Sequence, residues 1–182
     1  LNVWGDGGFI VTNKKPLAKK LYLIRNHGLK NRNNVEIFGY NSRLDTIQAA
    51  VANYKMKNKL DNITNKRIKN ATRLDKLLSK NKNVTTVKRL KHLKEVFHLY
   101  HINVKKRDLL QKYLIKNNVD AKVHYPIPIH LQKAAKYLKY KKGDFPIAEK
   151  MANTSLSLPV HEFIDERHVK YMVHYINKFY LK

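Results

Sequence analysis

From Leu44 onward, apolar residues recur at helical spacing: Leu44, Ile47, Val51 and Tyr54, then Leu60, Ile63, Ile68, Ala71, Leu74 and Leu78. The period predicts one long helix, or two with a bend near Lys57–Asp61, more than 30 residues in all. A helix of that length cannot pack wholly within a small domain, so it bridges two. The chain therefore divides into residues 1–54, the end of one domain with the start of the bridging helix, and residues 55–182, the rest of the helix and a small α+β lobe.

On the N-terminal side, Gly5-Asp6-Gly7-Gly8 reads as a turn and Phe9–Thr12 as a short strand. Asn13 is the expected N-cap of a helix with Pro16 in its first turn and Leu17, Leu21 and Ile24 on one face, ending at Asn26-His27-Gly28. Residues 29–41 form an Asn-rich polar loop, after which Asn41 or Ser42 caps the long helix with Asp45 in its first turn. On the far side, Val84–Val87 and Phe97–Val104 read as strands, Arg107–Lys116 as a helix and Asp120–Val123 as an edge strand. Pro126 and Pro128 force an extended loop. Helices over Leu131–Leu138 and Phe145–Ala152, a strand at Leu156–Leu158 and a final amphipathic helix capped by Asp165 complete the pattern. The fold class is α/β to α+β.

The charge is large but ambiguous. Lys and Arg number 38 against 13 Asp and Glu, a formal +25. That raises nucleic acid or anionic membrane as partners, yet 30 of the 38 are Lys, and 19 Asn accompany them. An A/T-biased genome writes such a composition into any protein, and base reading leans on the forked guanidinium that Lys lacks. Residues 55–94 hold fourteen basic residues against two acidic, with no aromatic between Tyr54 and Phe97 to stack on bases. The expectation is a solvated helix face and no specific nucleic acid.

Other classes fall away on residue chemistry. With no Cys there is no disulfide scaffold, thiolate zinc site or thiol nucleophile. No apolar run approaches the roughly 18–20 residues of a membrane helix, and no signal-peptide pattern is present. His124 and His130 stand six apart across two prolines, and His98 and His101 fall on opposite faces of a strand, so no metal centre is expected. There is no Gly-x-Ser-x-Gly elbow, and the Gly5–Gly8 turn precedes a strand rather than a helix, so it is no phosphate loop. Spacing alone supports no enzyme class.

Three segments still carry unusual polar chemistry: Arg25-Asn26-His27-Gly28, Gly39-Tyr40-Asn41-Ser42-Arg43-Leu44-Asp45, and His124-Tyr125-Pro126-Ile127-Pro128-Ile129-His130. Each alone reads as capping and turn chemistry. In order with Gly5-Asp6-Gly7-Gly8, Gln48-Ala49-Ala50, His98-Leu99-Tyr100-His101, Gly143-Asp144-Phe145-Pro146, Ala148-Glu149 and Leu156-Ser157-Leu158-Pro159, they resemble the DegT/DnrJ/EryC1/StrS sugar aminotransferases. The resemblance is collinear over essentially the whole chain.

The resemblance implies the C-terminal part of a fold-type I pyridoxal 5'-phosphate (PLP) enzyme. Residues 1–54 are then the residual end of the large cofactor-binding domain and the start of the bridging helix, and 55–182 the rest of that helix and the small domain. It implies a cytoplasmic homodimer that moves an amino group, usually from glutamate, to a keto group on a nucleotide-linked sugar, as in surface-polysaccharide biosynthesis. Asn41 would reach the cofactor phosphate of the opposite subunit with Arg43 close by, and Arg43, His124 and Tyr125 would serve the nucleotide-sugar substrate. No membrane partner is implied. In the family, the lysine that carries the cofactor lies a few residues before the Gly-Asp pair, upstream of Leu1, so the expectation is that this chain alone is inactive. That the chain opens on Leu1 rather than Met looks like a break inside a domain. Two alternatives stand beside this reading: a sugar dehydratase relative with His in place of the lysine, and a basic nucleic-acid-binding module.

Overall fold

A computed structural model describes residues 2–181 of the chain. They fall into two compact units, Leu1–Leu60 and Asp61–Lys182.

The first unit holds α1 (Lys15–Ile24), an antiparallel ribbon of β1 (Leu29–Asn31) and β2 (Asn34–Val35), and α2 (Thr46–Asn58). Pro16 lies in the first turn of α1, where a missing N–H breaks no helical bond. Asn13 does not cap this helix. Thr12 Oγ1 accepts the Lys14 N–H at 3.1 Å, turning the chain one residue later, and Lys14 becomes the N-cap. Phe9–Thr12 is irregular rather than a strand, since no described residue offers it a ladder. The loop at 29–41 instead contains the β1–β2 ribbon, because Asn31 Oδ1 accepts the Asn33 N–H at 3.1 Å and closes a tight turn.

Neither Asn41 nor Ser42 stands at the N-cap of α2; that position falls on Asp45, whose side chain makes no capping bond. The reason lies upstream: the Tyr40 and Ser42 N–H groups bond the Ile24 and Arg25 carbonyls at 2.7 and 2.8 Å, so residues 40–42 are held along the end of α1 and cannot enter a helix. Apart from Gly28, no described residue of this unit is buried, and Phe38 is fully exposed.

Lys59 interrupts the helical run between α2 and α3 (Leu60–Leu78), helices of 13 and 19 residues. The second unit packs α3, α4 (Arg107–Lys116) and α6 (Glu166–Tyr180) with an antiparallel sheet in the order β3 (Val84–Thr86), β4 (Tyr100–Val104), β5 (Ser155–Leu158). Strand β4 alternates as a half-covered sheet should: Tyr100, Ile102 and Val104 are buried among Leu74, Leu78, Leu110, Leu114, Val169 and Ile176, while His101 and Asn103 take the other face. Each such side chain contributes about 1.5–3 kcal/mol by leaving water.

The last helix forms as its sequence predicts. Asp165 Oδ1 accepts the His168 N–H at 3.1 Å, the His168 ring returns to the Asp165 N–H, and Val169, Met172, Val173 and Ile176 line one buried stripe. Three expectations are shortened. Phe97, at φ 52°, breaks the extended run, so β4 begins only at Tyr100. Asp120–Val123 contributes a single bridge, Lys122 to Ser157, because Ala121 N–H turns back to the Val119 carbonyl. Residues 129–138 form two 3-10 turns, Ile129–Leu131 and Lys133–Leu138, parted by extended Gln132, before α5 (Pro146–Thr154). No described helix is long and apolar enough to cross a membrane.

Candidate functional site

In the first unit, the end of α1 positions the strip that carries Asn41 and Arg43. The His27 N–H bonds the Tyr40 carbonyl at 2.8 Å, and Asn26 and Asn41 form a bridge. This crossing demands two glycines. Gly28 has φ 73°, and a Cβ there would lie 1.5 Å from the Ile37 carbonyl oxygen; at Gly39 it would lie 2.5 Å from the Gly28 nitrogen. On the strip so held, Arg43 Nε donates to Asn41 Oδ1 at 3.0 Å, with both residues exposed. That bond takes one lone pair of the amide oxygen and leaves the Asn41 NH2 and the outer guanidinium nitrogens as donors. Those donors suit phosphate oxygens, so these residues fit the phosphate end of PLP.

In the second unit, His124 and Tyr125 border a cavity of about 660 Å³ on the open face of the sheet, with His101, His130, Tyr140 and Phe145. Its wall is largely apolar, and Tyr125 is exposed at it. The His124–Tyr125 peptide bond is cis. His124 Nδ1 lies 2.9 Å from Ser157 Oγ, which is also 3.2 Å from His101 Nδ1. Burial and the neighbouring His124 hold the His101 pKa down.

A second contact fixes the other end of the loop. His130 Nε2 donates to Glu149 Oε1 at 3.1 Å, and the Gly143 N–H donates to the same oxygen at 2.7 Å. The Gly143 N–H and then His130 keep the Glu149 carboxyl below the usual range. The Phe145 ring packs 4.8 Å from His130. The Pro-containing loop is thus tied to β5 at one end and α5 at the other.

Of the residues that the resemblance singled out, His124 and Tyr125 line the cavity of the second unit, and Asn41 and Arg43 are hydrogen-bonded to each other in the first. Three residues escaped: His101, Ser157 and Glu149. The usable signal for Ser157 was a polar residue inside an otherwise apolar strand, Leu156-Ser157-Leu158. A separate concavity of about 570 Å³ gathers Lys82, Lys105, Lys106, Arg107 and Lys150, and no aromatic lines it. Among the described residues, no three His, Asp or Glu side chains are grouped to hold a metal.

The profile of the DegT/DnrJ/EryC1/StrS aminotransferase family matches residues 1–177. A pleiotropic regulatory protein of Geobacillus stearothermophilus is 41% identical over 182 residues, covering 99% of this chain and 49% of that protein. The dTDP-3-amino-3,6-dideoxy-alpha-D-galactopyranose transaminase of Aneurinibacillus thermoaerophilus is 34% identical over 95% of this chain and 47% of its own. Among solved structures, S. venezuelae DesV in complex with a ketimine intermediate superposes with a TM-score of 0.95 at 29% identity, over 100% of this chain and 49% of that one. The chain spans about half the length of the curated relatives it matches.

Proposed function

The chain belongs to the DegT/DnrJ/EryC1/StrS aminotransferase family, and from that membership we propose that it is the C-terminal part of a PLP-dependent enzyme aminating a nucleotide-linked keto-sugar, with glutamate as donor. The family's fold and cofactor class come with membership; the substrate, donor and residue roles are the proposal. The observation that carries it is the 660 Å³ cavity, in which an apolar wall carries a few fixed polar groups, among them His124 and Tyr125.

PLP, when bound, supplies the electron sink that makes amino transfer possible. The chain's own residues do the rest of what is assigned here. Asn41 and Arg43 present donors to a phosphate, the cofactor's across a homodimer interface, with Arg43 shared by the substrate diphosphate. His124, held at Nδ1 beside Ser157, turns its other ring nitrogen to the sugar, and the exposed Tyr125 ring covers the nucleotide. The apolar wall of Phe145 and Tyr140 excludes water from the sugar. Residues 1–54 hold the end of the large domain and the start of the bridging helix, and 55–182 the rest of that helix and the small domain, in a cytoplasmic enzyme.

The cofactor lysine is not among these residues, so the isolated chain does not transaminate. Lys14 and Lys15 begin a surface helix and cannot replace it. The basic concavity is read as solvated surface, without aromatics for base stacking.

Calorimetric titration of the complete enzyme with a dTDP-linked sugar tests the substrate reading. The proposal expects binding that weakens at least tenfold in His124→Ala and in Tyr125→Ala. Equal affinity in both variants, or equal binding of free sugar, contradicts it.

A further inference from the structure

Ser157 sits between two histidines. Its Oγ is 2.9 Å from His124 Nδ1 and 3.2 Å from His101 Nδ1. The backbone imposes this. Ser157 is opposite His101 in the β4–β5 register, and on its other side it exchanges two main-chain hydrogen bonds with Lys122, at 3.0 and 2.7 Å. His124, two residues beyond Lys122, therefore returns to the same face of the sheet. Ser157 is only 3% exposed, so its hydroxyl is shut off from bulk water.

A hydroxyl has one hydrogen to give and two lone pairs, and a neutral imidazole has one N–H and one bare nitrogen. If Ser157 donates to one ring's Nδ1, that ring must carry its hydrogen on Nε2. The same oxygen can then only accept from the other ring, which must carry its hydrogen on Nδ1. We infer that Ser157 locks His101 and His124 in opposite tautomers, so that their cavity meets one Nε2–H donor and one bare Nε2 acceptor.

Burial and the proximity of His124 resist protonation of His101, which keeps that ring neutral as the lock requires. The rings stand 6.4 Å apart and nearly perpendicular, at 88°. The other titratable side chains lining the cavity are Tyr125, His130 and Tyr140, and His130 is committed to Glu149. A sugar hydroxyl, which donates and accepts at one oxygen, is the ligand group this pair fits. That choice of ligand rests on the proposed function; the tautomer lock does not. Ser157 is thus a positioning residue that acts through the two rings.

Nitrogen-15 NMR of the histidine-labelled chain reads both tautomers directly. The inference expects one of the two rings in the Nε2–H form and the other in the Nδ1–H form, with the pattern lost in Ser157→Ala and kept in Ser157→Thr. The same tautomer at both rings of the native chain, or an unchanged pattern in Ser157→Ala, overturns it. In the complete enzyme, nucleotide-sugar affinity should fall about tenfold in Ser157→Ala and recover in Ser157→Thr, one hydrogen bond's worth. Undiminished affinity in Ser157→Ala overturns the ligand assignment. No sugar binding by the native enzyme, with opposite tautomers intact, instead overturns the proposed function and leaves the lock standing.

Discussion

Tyr100, the first residue of β4, donates its hydroxyl hydrogen to Asp75 Oδ1 on α3 at 2.7 Å, from a side chain that is 0% exposed. Arg89 closes the cluster, donating to both Asp75 oxygens at 3.2 Å and lying over the Phe97 and Tyr100 rings at 4.9 and 5.5 Å. Burial, followed by the Asp75 charge, pushes the Tyr100 phenol well above its ordinary pKa. Removing the acceptor leaves the buried Tyr100 hydroxyl unpaired and Arg89 with Glu95 as its remaining carboxylate partner, at 3.0 and 3.1 Å. Asp75→Ala should lower stability by about 2–3 kcal/mol, measured by urea unfolding. An unchanged midpoint would mean that the cluster contributes nothing net.

Gly28 predicts a local effect. A Cβ there meets the Ile37 carbonyl at 1.5 Å in a left-handed backbone, so Gly28→Ala should open the crossing that holds Asn41. Hydrogen exchange should show lost protection at the Tyr40 and Ser42 amides and unaltered protection in β4 and β5. Equal protection at Tyr40 and Ser42 in both forms refutes the point.

Acid should loosen α6. The His168 N–H, then Arg167, hold the Asp165 carboxyl far below the usual range. A depressed carboxyl pKa stabilises the fold above the unfolded value, about 3.9, and the contribution is lost as pH falls through that value and below. Melting temperature followed from pH 6 to about pH 2 should therefore drop more steeply in the native chain than in Asp165→Ala. Parallel profiles would contradict the cap.

Arg43 and Asn41 should matter to phosphate and not to folding, since both are exposed. In the complete enzyme, Arg43→Ala should weaken PLP binding about tenfold, the scale of one charged hydrogen bond. Arg43→Lys should recover only part, lacking the fork that bonds the Asn41 amide and phosphate together. Undiminished PLP affinity in Arg43→Ala removes Arg43 from the site.

Helical periods were legible because burial repeats locally: α4 spans the expected Arg107–Lys116, burying Leu110 and Leu114, and α6 follows Asp165, burying Val169 and Ile176. Short strands were less so. Phe9–Thr12 has strand-like residues and no described ladder, whereas Asn31 and Asn33 make a turn that an Asn-rich loop conceals. The site divided in the same way. His124 and Tyr125 were singled out by the resemblance and line the cavity, but the contacts of Ser157 depend on pairing across 33 and 56 residues to His124 and His101. No local pattern encodes that separation, because the sheet alone creates it.

We propose an amino transfer in which this chain supplies the sugar cavity and phosphate contacts while the cofactor lysine lies elsewhere in the polypeptide. Incubation with nitrogen-15 glutamate, PLP and a dTDP-linked keto-sugar, read by mass spectrometry of the nucleotide sugar, tests it directly. The complete enzyme should place the label on the sugar, and the 182-residue chain alone should place none. Labelled sugar from the chain alone, or loss of water without label from the complete enzyme, would contradict the account.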